Sequence, residues 1–579
     1  MGNLTRYGLA SILLAAAVVL PTEEIEARRA SHIRQLESQA ALEAALLQPE
    51  DDSHIDFINH PYPIPGSVLF RALLVLDAVL VVALVRFRPR AQAVRGSSGF
   101  GMDTGDWRIV ALLTLIGAAI RFTGLSRDLW IDEIATLVRH ARGPAVDAFL
   151  QATSSNNHLL NSLLANWSIS LFGEREWALR LPAAFFGTAT IPVFYLLVRR
   201  YSGRAETALA TAALTLSYHH VFFSQDARGY TGFLFGGLLA TWALLRALDG
   251  QRRWMWLVYG IGMAICVASL MLGVIILAAQ FLAVTALRRD RRFYAVFALV
   301  ALVILHVYSF VIPDILGYVF GEYRQPETGS RSSAELVELV FRGLRLGPVA
   351  LPVLALGAVV GLWGACSYFR RDRFFTALLV LPEILMLAVV VGLGAAVFPR
   401  FFNFALPVVM AFAARGFQLV SEHFPKPARR WAYPAAFAAL VAMSAIPMRT
   451  WWRYPKQDYG GARLWVESVR GGGDAVLAVG IAGEGYRHYW RDVEVTNRVS
   501  VVRKATATRP QVWLLYSFPQ DMDKRRPKLL RLIRSQFEEV RVFPGMVGDG
   551  EIRVCRYRRK DDVAGGATVW RTLHRPRQR

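Results

Sequence analysis

Three carboxylates fall within a six-residue stretch, Asp128-Leu-Trp-Ile-Asp132-Glu133. A carboxylate beside an interfacial tryptophan is equipped to act as a general base toward a hydroxyl. The same residues also fit a helix start, with Asp128 as the cap and Asp132 and Glu133 in the first turn, facing the helix dipole. A second set is Ser224-Gln-Asp226-Ala-Arg228-Gly-Tyr230, a short polar turn between apolar runs; a third is Phe398-Pro-Arg400-Phe-Phe402. Guanidinium groups grip phosphate through paired hydrogen bonds and keep their charge beside lipid. Snorkelling toward headgroups is the other use of an interfacial arginine. His158, in Asn156-Asn-His158-Leu-Leu-Asn161, could orient a base or simply pack a loop, and Arg180 opens an apolar run with the same ambiguity as the other arginines. Asp77 and Glu383 sit inside apolar runs, where acids are costly, but no periodic series of acids links them into a proton path.

The elements that must position these groups are read from the apolar runs. The 579 residues are 54% hydrophobic and 19% charged, with mean hydropathy +0.33. Runs of about 17–20 apolar residues separated by arginine clusters describe a polytopic α-helical membrane protein and exclude a single soluble globule. Spans are expected at 66–85, 109–124, 179–198, 205–222, 230–247, 254–270, 273–287, 294–312, 347–367, 375–397, 401–420 and 431–447, with a tight hairpin near Gly273. Residues 8–20 form a further short run, either a first span or a signal peptide, which makes about thirteen spans in all. Residues 23–47 read as an amphipathic helix within an acid-rich loop.

The net charge of +22 comes from arginine clusters in short loops: 199–204, 252–253, 288–292, 370–373 and 426–430. By the positive-inside rule those loops are cytoplasmic. Loops 21–65, 125–177 and 313–346 and the segment 450–579 then face outward. Arg228 and Arg400 break the rule on that outward face, which also carries the acidic cluster. With the basic residues used for topology, nucleic-acid binding is not expected. Cys266, Cys366 and Cys555 have neither metal-ligand spacing nor a disulfide pattern, and no metal site is expected.

After residue 450 the character changes. Helix-like stretches at 457–470 and 527–536 alternate with apolar β-type runs at 475–481, 511–517 and 551–557, which points to a small C-terminal α/β domain with a largely parallel sheet. Gly480-Ile-Ala-Gly483-Glu-Gly485 lacks the spacing of a nucleotide fingerprint. Three parts are expected: an N-terminal extension (1–104), a membrane core (105–450) and an extracytoplasmic α/β domain (451–579).

Five pieces of the core carry a family resemblance: LWIDE (129–133), NNHLLNSLL (156–164), FGEREWALRLP (172–182), SQDARGY (224–230) and PRFFNFALP (399–407). In order, spacing and common face they resemble the GT-C membrane glycosyltransferases that use lipid-phosphate sugars. The nearest group is similar to the protein O-mannosyltransferases and the aminoarabinose and galacturonate transferases. The spans and loop before residue 105 depart from that pattern. The resemblance implies a polyprenyl-phosphate sugar donor, an envelope glycan, glycolipid or protein acceptor, and an active site facing outward from a bacterial inner membrane. It implies Asp132 as catalytic base with Glu133 beside it, Arg228 near the donor phosphate with Arg400, and supporting roles for His158, Arg180 and Tyr230. No cofactor is required by such chemistry, because no nucleotide pyrophosphate leaves.

Two other readings fit part of the sequence. A transporter or lipid flippase would place polar groups near the midplane, around Asp77 or Glu383, rather than at one rim. An inactive scaffold would use the C-terminal domain to hold envelope partners.

Overall fold

The computed structural model describes residues 66–86, 101–145, 158–250, 252–313, 350–392, 399–548 and 550–558, with a few positions before residue 32. Most of the expected run 8–20, of the amphipathic 23–47 and of the loop 313–346 lies outside the described residues. The chain divides into two compact units. One holds the described parts of Asp56–Leu125 and Thr136–Met448; the other holds those of Ser126–Ala135 and Arg449–Arg579. Ser126–Ala135 thus groups with the C-terminal domain, whereas the sequence reading kept it in the core.

The first unit is helical: α1 (Gly66–Arg86), α2 (Thr104–Phe122), α3 (Leu159–Phe172), α4 (Glu176–Arg199), α5 (Arg204–Leu216), α6 (Tyr218–Ser224) and α7 (Tyr230–Leu248). It continues with α8 (Met255–Ser269), α9 (Gly273–Leu287), α10 (Arg291–Tyr308), α11 (Ala350–Arg371), α12 (Arg373–Gly392), α13 (Ala405–Glu422) and α14 (Lys426–Arg453). Among the described residues, α4, α7, α10, α12 and α14 are long and apolar enough to cross a bilayer, while α3, α8 and α9 are apolar but shorter. The hairpin falls at Leu270–Leu272, between α8 and α9. The core is built on fully buried Phe233, Leu238, Tyr259, Met263, Phe293 and Leu378. Helices α7 and α8 touch through glycine: a Cβ on Gly236 would lie 2.5 Å from Gly262 O, the close approach that small residues give membrane helices.

The expected span 205–222 is broken. Ser217 leaves the helix at ψ 120° and its hydroxyl accepts from His220 N, starting α6. A break inside a membrane exposes carbonyls that lipid cannot satisfy. Arg121, fully buried on α2, supplies the donors: Thr215 O (3.2 Å), Leu214 O (3.5 Å), Gly117 O (3.0 Å), Ser224 Oγ (3.2 Å) and His220 Nδ1 (2.7 Å). Other charged groups also find partners. Asp77 lies 3.3 Å from His306. Asp106 accepts from Arg199 (2.9 Å), Arg204 (3.3 Å) and Tyr195 (2.8 Å). Glu206 meets Arg415 (3.3 Å) and Tyr368 (3.1 Å). Arg199 and Arg204, which help to set the charge asymmetry, therefore also hold a buried acid. Glu383 Oε2, by contrast, is buried without a hydrogen-bond partner.

The second unit carries a five-stranded sheet of order β2-β1-β3-β5-β4, from β1 (Ala475–Ala478), β2 (Glu494–Val495), β3 (Val512–Tyr516), β4 (Phe537–Phe543) and β5 (Ile552–Tyr557). Helices α15 (Tyr459–Val469), α16 (Ile481–Tyr489), α17 (Val499–Thr508), α18 (Pro519–Arg525) and α19 (Pro527–Gln536) accompany it. The sheet is mixed, not largely parallel: β2-β1-β3 run parallel, while β3-β5 and β5-β4 are antiparallel. The link from β4 to β5 is too short for a crossover, so those strands can only form a hairpin. Strand β4 shows no alternating pattern because only Phe537 and Phe543 are buried; it is a bulged, charged edge. Leu477, Val502, Leu514, Leu530, Ile533 and Cys555 form the core.

Candidate active site

The acidic stretch belongs to the second unit, and backbone and side-chain bonds fix it residue by residue. Asp132 and Glu133 lie in the first turn of the short helix Ile131–Ala135. Asp128 reaches beyond this helix. Its carboxylate accepts from Gly460 N at 2.6 Å, at the start of α15, whose own cap Asp458 takes Gly461 N at 2.9 Å. Leu129 N donates to Tyr489 Oη (2.6 Å) and Ile131 N to Gln457 Oε1 (2.9 Å). Arg127 donates to Trp451 O, Trp452 O (2.6 Å) and Tyr454 O (3.3 Å), carbonyls near the end of α14.

Asp132 and Glu133 are neighbours with different surroundings. Glu133 is fully buried, with Lys456 Nζ 3.2 Å from its Oε1 and the Trp130 amide donating to Oε2 at 3.3 Å. The Lys456 side chain is only 2% exposed. Asp132 is half-buried, and its charge is one of those that, after burial, raise the Tyr459 hydroxyl above the usual tyrosine range. A carboxylate in a buried ion pair is costly to protonate, because that would leave Lys456 as an uncompensated buried charge. Glu133 is thus engaged in a buried ion pair, whereas Asp132 keeps part of its surface exposed.

In the first unit the structure brings together His158, Arg228 and Tyr230, and the charge of Arg400 is felt at His158. His158 precedes α3; Arg228 and Tyr230 stand in the turn that opens α7. Arg228 Nε donates to His158 Nε2 at 3.0 Å, and His158 Nδ1 lies 3.2 Å from Ser269 O. This pair of contacts fixes the tautomer, with the proton on Nδ1. Burial, then the Arg228 charge, hold His158 well below its ordinary value, with Arg400 and His140 contributing in the same direction. The imidazole is therefore neutral, and its lone pair points at the guanidinium. The Tyr230 ring lies 5.5 Å from the Arg228 guanidinium and 5.2 Å from the His158 ring. Gly229 permits the geometry: a Cβ there would sit 1.9 Å from Ser269 O. Gln225 ties the same turn to the end of α2 by donating to Ile120 O, Arg121 O and Thr123 O at 2.7–3.1 Å.

Arg180 does something simpler. It is buried in α4 and donates to Leu125 O at 2.7 Å, bracing the turn after α2. Sequence reasoning missed Lys456, Arg121, His140 and Ser269. Lys456 is one of few lysines in an arginine-rich chain, which is the only signal it gives. Among the described residues no group of three or more His, Cys, Asp or Glu could hold a metal ion.

Fold and site so far define a polytopic helical protein with a buried arginine–histidine cluster and, in its second unit, a stapled acidic loop. Within it, residues 159–312 match the family profile described as dolichyl-phosphate-mannose-protein mannosyltransferase. Over that segment the chain is similar to the GT-C glycosyltransferases that its motifs resemble. The segment contains Arg180, Arg228 and Tyr230 and begins one residue after His158. No curated protein matches the chain. Similar solved structures include ArnT from Cupriavidus metallidurans bound to undecaprenyl phosphate, with TM-score 0.47 and 14% identity over 79% of this chain and 99% of that one. Its apo state gives 0.46 and 14% over 80% and 100%. AglB from Archaeoglobus fulgidus, in complex with an inhibitory peptide and a dolichol-phosphate, gives 0.45 and 12% over 74% and 71%.

Proposed function

We propose that the protein is a membrane glycosyltransferase that moves a monosaccharide from a polyprenyl-phosphate carrier to a hydroxyl of a cell-envelope glycan, glycolipid or protein. The observation that carries the reading is Arg228: a buried guanidinium oriented by a neutral imidazole and a tyrosine ring, inside a segment matching a lipid-phosphate-sugar family. That family match favours transfer over the transporter alternative. The arginine asymmetry of the loops supports an active site on the extracytoplasmic side of a bacterial inner membrane.

In the reaction, the acceptor oxygen attacks the anomeric carbon and its proton passes to the Asp132 carboxylate. The bond from the anomeric carbon to the phosphate oxygen breaks with inversion, and the electron pair leaves on the polyprenyl phosphate. Arg228 and Arg400 stabilise the charge gathering there, an electrostatic role that planar guanidinium groups fill well. Since these arginines take that charge, the reading needs no metal. The test is a pair of substitutions. Asp132→Asn keeps size and removes the proton acceptor, so turnover should fall by about 100-fold or more, while Glu133→Gln costs less. If both variants stay active, the acidic pair is structural and this mechanism is wrong. A reporter active only in the cytoplasm, fused after residue 450, should be silent; an active fusion would put the acid on the wrong face.

A further inference from the structure

We infer that Lys456 is a positioning residue for Asp132, and that the C-terminal α/β domain serves as the jig that holds the acidic loop in register. The inference rests on the proposed transfer reaction, in which Asp132 is the base. The chain of contacts starts in the sheet. The loop joining β4 to β5 grips the backbone of the strap before α15: Met546 N donates to Pro455 O and Lys456 O (both 3.0 Å), and Val547 N to Lys456 O (3.2 Å). Gly545 fits against this strap so closely that a Cβ would lie 2.5 Å from Lys456 O. Gln457 is held by its own donation to Gly550 O at 3.1 Å.

The strap then passes its register to the acidic loop. Lys456 Nζ pairs with Glu133 at 3.2 Å, Gln457 Oε1 receives Ile131 N at 2.9 Å, and Gly460 N reaches Asp128 at 2.6 Å. From α16, Tyr489 Oη takes Leu129 N at 2.6 Å; Tyr489 stacks on Tyr459 at 5.6 Å, and its carbonyl accepts from Arg463 at 2.6 Å. Fixed points thus stand on both sides of Asp132, at residues 128, 129, 131 and 133. Each is a backbone or side-chain bond to the C-terminal domain. A base misplaced by an ångström can cost two orders of magnitude in rate, which is what such stapling guards against.

The test uses the purified full-length protein and a deletion strain complemented with each variant. Lys456→Met should raise hydrogen–deuterium exchange across 126–135 by at least about 10-fold and lower the glycosylated envelope product by at least about 10-fold. Affinity for undecaprenyl phosphate, measured directly, should stay within about 3-fold of wild type. Lys456→Arg, which keeps the charge, should restore both exchange protection and product. Tyr489→Phe removes one hydroxyl and keeps the ring stack, so it gives the same exchange signature in milder form if Lys456→Met does not fold. Wild-type exchange and product in Lys456→Met, with Asp132→Asn inactive, would overturn the positioning role and leave the transferase reading intact. A loosened loop in Lys456→Met with a fully active Asp132→Asn would instead remove the base, and with it the function given to the jig.

Discussion

Two buried clusters of charged groups, one in each unit, are held in different ways. Glu133 and Lys456 neutralise each other at 3.2 Å, both nearly without solvent. Arg228, also buried, leans on a neutral imidazole and a tyrosine ring. A buried ion pair is spent on geometry, because each charge answers the other. The His158 and Tyr230 contacts instead set the direction of the Arg228 guanidinium fork. The first arrangement stiffens a strap; in the proposed reaction the second turns a guanidinium toward the donor phosphate, a distinction that residue types alone do not give.

Breaking the ion pair should produce the largest effect on stability. Lys456→Met leaves Glu133 buried without its counter-charge, and the cost is expected to be about 3–5 kcal/mol, read as a lower unfolding midpoint of the full chain. Adding Glu133→Gln should recover most of that loss. A double variant as unstable as Lys456→Met alone would show that packing of the lysine stem, not charge, holds the strap. Arg228→Ala should cost less stability, about 1.5–3 kcal/mol, but should weaken undecaprenyl phosphate binding by about 10–100-fold. Arg228→Lys keeps the charge without the planar fork and should bind between the two. Equal binding by wild type and Arg228→Ala would take Arg228 out of the site.

A finer effect follows from His158. Its folded-state pKa is depressed below the ordinary 6.5, so the unfolded chain binds the proton first. The contribution of this residue to stability is complete above that value and is lost as the pH falls from 6.5 toward the depressed value. The unfolding midpoint of wild type should therefore drop between about pH 7 and pH 5.5 more steeply than that of His158→Gln. Parallel curves would mean that His158 does not hold Arg228 as a neutral acceptor. Tyr489→Phe should be the mildest change, about 0.5–1.5 kcal/mol for one hydrogen bond.

Much of the helical frame was legible because bilayer thickness imposes its own ruler on the sequence. The runs at 179–198, 230–247 and 254–270 coincide with α4, α7 and α8, and the hairpin near Gly273 follows from two runs too close for a loop. The break at Ser217 was not legible, since its cause is Arg121, about a hundred residues earlier, donating to the exposed carbonyls. The site was half legible. The acids and Arg228 announce themselves by charge at apolar boundaries, whereas Lys456 and Gly460 act through contacts more than 300 residues away in the chain. Asp128 shows the limit well: its spacing says cap for the helix just after it, and nothing in the sequence says that its carboxylate takes an amide in the first turn of α15. Strand β4 was missed because an exposed edge has no apolar alternation to read.

The central claim is that this chain adds a sugar to an envelope acceptor with Asp132 as base. Mass spectrometry of envelope glycolipids and glycans from a deletion strain, complemented with wild type or with Asp132→Asn, tests it most directly. The account predicts a species one monosaccharide lighter in the deletion strain, restored to full mass by wild type and not by Asp132→Asn. Identical profiles in parent and deletion strain, or full restoration by Asp132→Asn, would contradict it.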